Sequence, residues 1–218
     1  MTAHHLDPAT EKASHEQPAG AERPEDTDLL GDRLTPLSRS FGAQQGATSS
    51  SDVWLTPPAI LAALGPFDLD PCAAPDPRPW PTATRHYTAA DDGLRQPWAG
   101  RVWLNPPYST AGIWLQRLVQ HQIGTALIFA RTDTAAVQEH VLLQSTAVLF
   151  IRGRVRFHHP DGRRAADNGG APSLLIAYGK HDAARLQAST IPGVYLPIPA
   201  LTATAAARTG PAAEAHLF

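Results

Sequence analysis

Between residues 52 and 199, short apolar runs alternate with stretches whose apolar residues recur at helical spacing. Pro58 to Leu64 reads as a helix, and Phe67 to Asp70 as a strand halted by Pro71. Arg85 to Thr88 and Arg101 to Leu104 read as further short strands, the second running into a double proline. From Ile113 to Gln122 the spacing puts Trp114, Leu115, Leu118 and Val119 on one helical face. Thr125 to Phe129 follows as a strand and Thr134 to Leu143 as a helix, and Ala147 to Ile151 and Ser173 to Tyr178 are largely apolar and read as further buried strands. This alternation predicts an α/β fold of three layers with a mostly parallel central sheet.

The flanks lack such a pattern. Residues 1–51 and 200–218 are dominated by Ala, Pro, Gly, Ser and charged side chains, and are expected to be disordered tails around one domain at 52–199. A hydrophobic fraction of 43% suffices for one core, although much of it is alanine, which buries little area per residue. The formal charge of -2 excludes a chain-wide electrostatic affinity for nucleic acid, so any such contact needs a local patch. Cys72 is the single cysteine, which rules out an intramolecular disulfide. No apolar run approaches the ~20 residues of a membrane span, and the first residues lack a signal core, so a soluble, cytoplasmic protein is expected. His158 and His159 stand without further ligands at metal spacing, and no metal site is expected.

The chemically informative segment is Asn105-Pro106-Pro107-Tyr108, at the carboxyl end of a strand, where open α/β sheets bind ligands. Each proline fixes its own φ and biases the residue before it toward extended backbone, so the carbonyls of this turn point in preset directions. The Asn105 side-chain oxygen and the Pro106 carbonyl then form a fixed acceptor pair for the two hydrogens of a planar amino group. On adenine, whose exocyclic lone pair is delocalised into the ring, such a pair favours a tetrahedral, nucleophilic N6 without an ionised base. Tyr108 offers a flat face for a base taken out of its stack. The same four residues also suit a plain strand-terminating turn.

Further segments accompany that turn: Asp52-Val53-Trp54-Leu55-Thr56-Pro57-Pro58, Phe67-Asp68-Leu69-Asp70-Pro71-Cys72-Ala73, Asp91-Asp92-Gly93-Leu94, Trp98, Ala130-Arg131-Thr132-Asp133-Thr134, and Gly153-Arg154-Val155-Arg156-Phe157. In this order and spacing, from about Asp52 to Tyr178, the chain resembles the phage-type DNA N6-adenine methyltransferase family. The resemblance implies a Rossmann-like fold, S-adenosylmethionine as methyl donor, and adenine N6 in DNA as acceptor. It places Asp70, Pro71, Cys72 and Ala73 under the cofactor and Thr56 and Pro57 beside its methionine end, and makes Asn105, Pro106, Pro107 and Tyr108 the catalytic turn. It also departs from the usual pattern, since no glycine-rich loop follows the first strand. An acid after the strand at Arg85 suits a ribose or the cofactor's adenine amine, with Asp91 and Asp92 both candidates. Asp70 alone reads equally as a turn or cap acid. Thr56 before Pro57 reads as a helix N-cap with proline at the first helical position, a role compatible with a cofactor contact.

Arg152, Arg154, Arg156, His158, His159, Arg163 and Arg164 form the densest basic stretch. Arg154 and Arg156 would leave one face of an extended strand, toward DNA phosphates or simply toward solvent. The segment 153–172 is the candidate recognition insert. Cys72 reads as packing beside the cofactor, and Trp54 as the tryptophan best placed to meet a base. Methylation of RNA or protein glutamine amino groups suits the same acceptor pair, and a non-catalytic nucleic-acid-binding module suits the same fold.

Overall fold

In a computed structural model of the chain, residues 53–166 and 170–199 are described. The proposed tails at 1–51 and 200–218, and Asp52, therefore lie outside the described residues. The elements follow in the order α1 (Pro58–Leu64), β1 (Leu69–Asp70), β2 (Arg85–His86), β3 (Val102–Leu104), α2 (Ala111–His121), β4 (Gly124–Phe129), a π-helical turn (Val137–Leu142), β5 (Ala147–Ile151), β6 (Ser173–Tyr178), α3 (Lys180–Ala188) and β7 (Gly193–Pro197). Among the described residues, seven strands form one sheet in the order β2-β1-β3-β4-β6-β5-β7.

The expectation of a mostly parallel sheet is corrected by this pairing. β2, β1, β3 and β4 are joined in parallel, but β4 with β6, β5 with β6, and β5 with β7 are antiparallel and carry the longer ladders. The cause lies between β5 and β6. A parallel neighbour requires a crossover, usually helical, whereas residues 152–172 hold Gly, Pro and Arg without helical spacing, so β6 returns directly between β4 and β5.

Alternation along the strands builds a core on each face of the sheet. Trp103, Leu127, Leu149 and Leu175 meet Ile60, Leu61 and Leu64 of α1 and Ala183 and Leu186 of α3. Val102, Leu104, Ala126, Ile128 and Ile176 meet Trp114, Leu115 and Leu118 of α2 and Val137 and Val141 of the π-helical turn. Each fully buried leucine contributes about 1.5–3 kcal/mol. Gly124 lets β4 approach β3, since a Cβ there would lie 2.4 Å from the Val102 carbonyl oxygen. The helix expected over Thr134 to Leu143 is shorter and wider than an α-helix, and the Tyr178 hydroxyl donates to the His140 carbonyl within it at 2.7 Å.

At the edge where β3 and β4 begin, Arg101 fastens the layers. Its guanidinium donates to Asp182 Oδ1 (2.7 Å) and to the carbonyls of Leu64 (2.6 Å) and Pro66 (2.8 Å), and lies 4.1 Å from the centre of the Phe67 ring. The Thr125 hydroxyl donates to the same Asp182 oxygen at 2.9 Å. A buried charge is tolerated here because it is paired and hydrogen-bonded.

Candidate active site

The opposite edge collects the carboxyl ends of β1, β3 and β4, and with them Asp70, Asn105 and Phe129. β3 ends because Pro106 and Pro107 supply no N–H to a ladder, and Pro107 (φ -53°, ψ 131°) leads into a single 3-10 turn, Tyr108–Thr110, ahead of α2. Asn105 is half-buried. Its side-chain Nδ2 donates to the Trp54 carbonyl at 2.8 Å, and its backbone N–H donates to the Cys72 sulfur. The Tyr108 ring stacks on Phe129, with centroids 3.9 Å apart and planes 12° from parallel, and Phe157 stands edge-on to both. One face of the Tyr108 ring is thus taken by protein.

Asp70 ends β1 and is 4% exposed. Its Oδ1 accepts the Cys72 N–H at 3.1 Å, and its Oδ2 accepts the Thr82 hydroxyl at 2.5 Å. Burial pushes its pKa up to about 6, against the pull of the Thr82 and Cys72 hydrogen bonds. Burial, reinforced by the Asp70 charge, also raises the Cys72 thiol well above its ordinary value, which keeps it protonated and unsuited to attack. Gly93 packs on this turn so closely that a Cβ would meet the Pro71 carbonyl oxygen at 1.9 Å. The turn containing Asp91 and Asp92 is thereby laid against Pro71, but both carboxylates engage local partners. Asp91 accepts the Thr88 N–H and hydroxyl, both at 2.8 Å, which holds its pKa below the usual carboxylate range. Asp92 sits at φ 52° and pairs with Arg95 at 3.1 Å.

Thr56 is 1% exposed, and its hydroxyl has no hydrogen-bond partner among the described residues. The expected Thr56 cap is corrected: α1 begins at Pro58, Pro57 holds the N-cap position, and no described side chain caps the helix. A buried hydroxyl without a partner is costly, and suits a polar ligand group that would supply one. The Thr56 carbonyl accepts the Trp80 Nε1 proton at 3.2 Å.

Arg154 and Arg156 alternate with buried Val155 and Phe157, as an extended segment requires, but this stretch joins no sheet and the expected strand is absent. Order comes instead from a small hairpin. Ala165 N–H donates to Phe157 O (2.9 Å), His159 N–H to Arg163 O (2.8 Å) and Gly162 N–H to His159 O (2.9 Å). This hairpin is pinned to the segment before α1 by reciprocal backbone bonds between Leu55 and His158, at 2.9 and 3.0 Å. The rings of Trp54 and His159, and of Trp80 and His158, lie 5.1 Å apart. Residues 167–169 of the candidate insert lie outside the described residues.

Sequence reasoning missed Phe129, Phe157, Thr82 and the Leu55–His158 bridge. Phe129 had a signal, being an aromatic residue at the end of a strand that neighbours the NPPY strand. Thr82 lies in a proline-rich loop with no periodicity that points at Asp70. No curated protein and no solved structure matches the chain. The family model for DNA N-6-adenine-methyltransferase (Dam) matches residues 44–192, a span that holds β1 to β6, the NPPY turn, the buried Asp70 and the hairpin, and the chain belongs to that family of DNA adenine N6-methylating enzymes.

Proposed function

We propose that the protein transfers a methyl group from S-adenosylmethionine to the N6 of an adenine extruded from DNA, at specific sites, within a Rossmann-like domain spanning 52–199. The observation that carries this reading is the Asn105 side chain. With Nδ2 donated to Trp54, the acceptor end of the amide is the one left to meet a substrate amine. The Pro107 carbonyl accepts the Thr110 N–H at 3.1 Å, so the companion acceptor in this turn is the Pro106 carbonyl. Two fixed acceptors localise the N6 lone pair, which is the electronic change the amine needs before it can attack. Tyr108, backed by Phe129, stacks the adenine, and Pro107 keeps the turn from yielding under that load.

When bound, S-adenosylmethionine supplies the electrophilic methyl. Thr56, Pro57, Asp70, Pro71, Cys72 and Ala73 are the residues assigned to hold it, with Asp91 and Asp92 on the neighbouring turn. The partnerless Thr56 hydroxyl and the close Gly93–Pro71 packing support this placement. Asp70 acts here mainly by ordering the turn, because Cys72 and Thr82 already engage both its oxygens. Arg154 and Arg156, beside the hairpin of the 153–172 insert, are assigned to DNA phosphates.

The test is transfer of labelled methyl to unmethylated DNA, with identification of the product base. Wild type should yield N6-methyladenine, and Asn105→Ala should lower turnover by about 10²–10³. Label that appears in RNA or protein instead would reject the DNA substrate, and absence of cofactor binding by folded protein would reject the enzyme.

A further inference from the structure

The segment before α1 enters the site through a backbone group. Asn105 could turn either end of its amide toward substrate, and the two ends are chemically opposite: Oδ1 accepts the amine hydrogens, whereas Nδ2 would repel them. The Trp54 carbonyl can only accept, and it lies 2.8 Å from Nδ2. That carbonyl is itself held. Leu55, the next residue, exchanges both backbone bonds with His158, the Trp54 ring packs against His159, and the Thr56 carbonyl receives Trp80 Nε1. Three contacts around one carbonyl over-determine its position, and two of them come from the hairpin.

We infer that the Trp54 carbonyl is a positioning group that fixes the polarity of the Asn105 amide, and that the 157–165 hairpin holds this carbonyl in place. The inference rests on the function proposed above for its catalytic meaning, but the lock is a property of the folded protein and is measurable without turnover. It predicts that the site requires an amide at position 105. A carboxylate has the same shape and keeps the acceptor toward the amine, yet presents a second acceptor to the Trp54 carbonyl. Protonation restores the donor.

The experiment compares Asn105→Asp with wild type at about pH 8 and about pH 5.5, for methyl transfer to DNA and for thermal unfolding. The titratable groups around the turn are Asp70 and Cys72 from the β1 turn, His158 and His159 from the hairpin, and Tyr108 in the turn itself. All are shared by both proteins, so the ratio of variant to wild type isolates position 105. The expected result is a ratio of rates at least about tenfold higher at the lower pH, with the variant's melting temperature rising toward that of wild type over the same interval. A variant whose relative rate and relative stability are both independent of pH overturns the inference. If wild type labels no adenine at either pH, the proposed function fails while the unfolding comparison still decides the lock. Should the variant not fold, selective labelling decides, because the chain has only two asparagines, Asn105 and Asn168. Slow solvent exchange of the Asn105 side-chain amide protons in wild type supports the lock, and exchange as fast as in a free amide overturns it.

Discussion

Replacing Asp70 with asparagine removes a titrating proton from the core while keeping an acceptor for the Cys72 N–H. In the folded protein the Asp70 carboxyl is buried and its pKa is raised from 3.8 to about 6. The native state therefore binds the proton more tightly than the unfolded chain does. Between these two values the unfolded chain loses its proton first, so the stability that the protonated carboxyl contributes is complete below about pH 3.8 and gone above about pH 6. A difference of roughly two pH units corresponds to about 3 kcal/mol. An asparagine at this position cannot ionise, so Asp70→Asn should gain on wild type by up to that amount as pH rises from about 4 to about 7, with no further change at higher pH. Urea unfolding of both proteins across this range measures the difference, and other carboxylates cancel in it. A difference that stays flat, or that changes in the opposite direction, would refute the reasoning. It would mean that Thr82 and Cys72 stabilise the carboxylate at least as much as burial penalises it.

Other features lead to separate outcomes. Asp182→Ala should destabilise the fold by about 3–5 kcal/mol in chemical denaturation, because Arg101 is left charged and buried, whereas Arg101→Met combined with Asp182→Leu should recover most of that loss. Gly93→Ala should cost about 1–3 kcal/mol and weaken S-adenosylmethionine binding measured by calorimetry, since its Cβ would displace the Pro71 backbone. Arg154→Ala, at an exposed position, should leave the melting temperature unchanged while raising the KM for DNA and reducing the salt dependence of binding by about one charge.

Where burial follows a simple period, the chain could be read directly. α1, β5 and β6 lie where their spacing puts them, and β3 and β4 differ only at their first residues. Two elements were not foreseen. α3 buries only Asp182, Ala183 and Leu186, too few apolar positions to mark a helix, and its acid is explained only by Arg101 across the fold. β7 is an edge strand with exposed Val194 and Leu196 between Pro192 and Pro197, residues that read more readily as loop. Strand direction was missed although the lack of helical spacing over 152–172 signals an antiparallel return, whereas the insertion of β6 between β4 and β5 has no local signature. At the site, the NPPY turn was legible because proline acts on its own backbone. The Trp54–Asn105 bond, the Thr82–Asp70 bond and the Leu55–His158 bridge join distant parts of the chain, and their residues carry no individual signature of being partners.

The bond between Asn105 and Trp54 joins residues 51 positions apart, and the hairpin that steadies it lies further on still. During synthesis, the strand that carries the NPPY turn leaves the ribosome well before His158 does. A nascent chain can therefore pair β1, β3 and β4 while Trp54 is still unanchored and Asn105 still rotates. On the function proposed above, competence arrives late, with the hairpin, in a chain whose sheet is nearly complete.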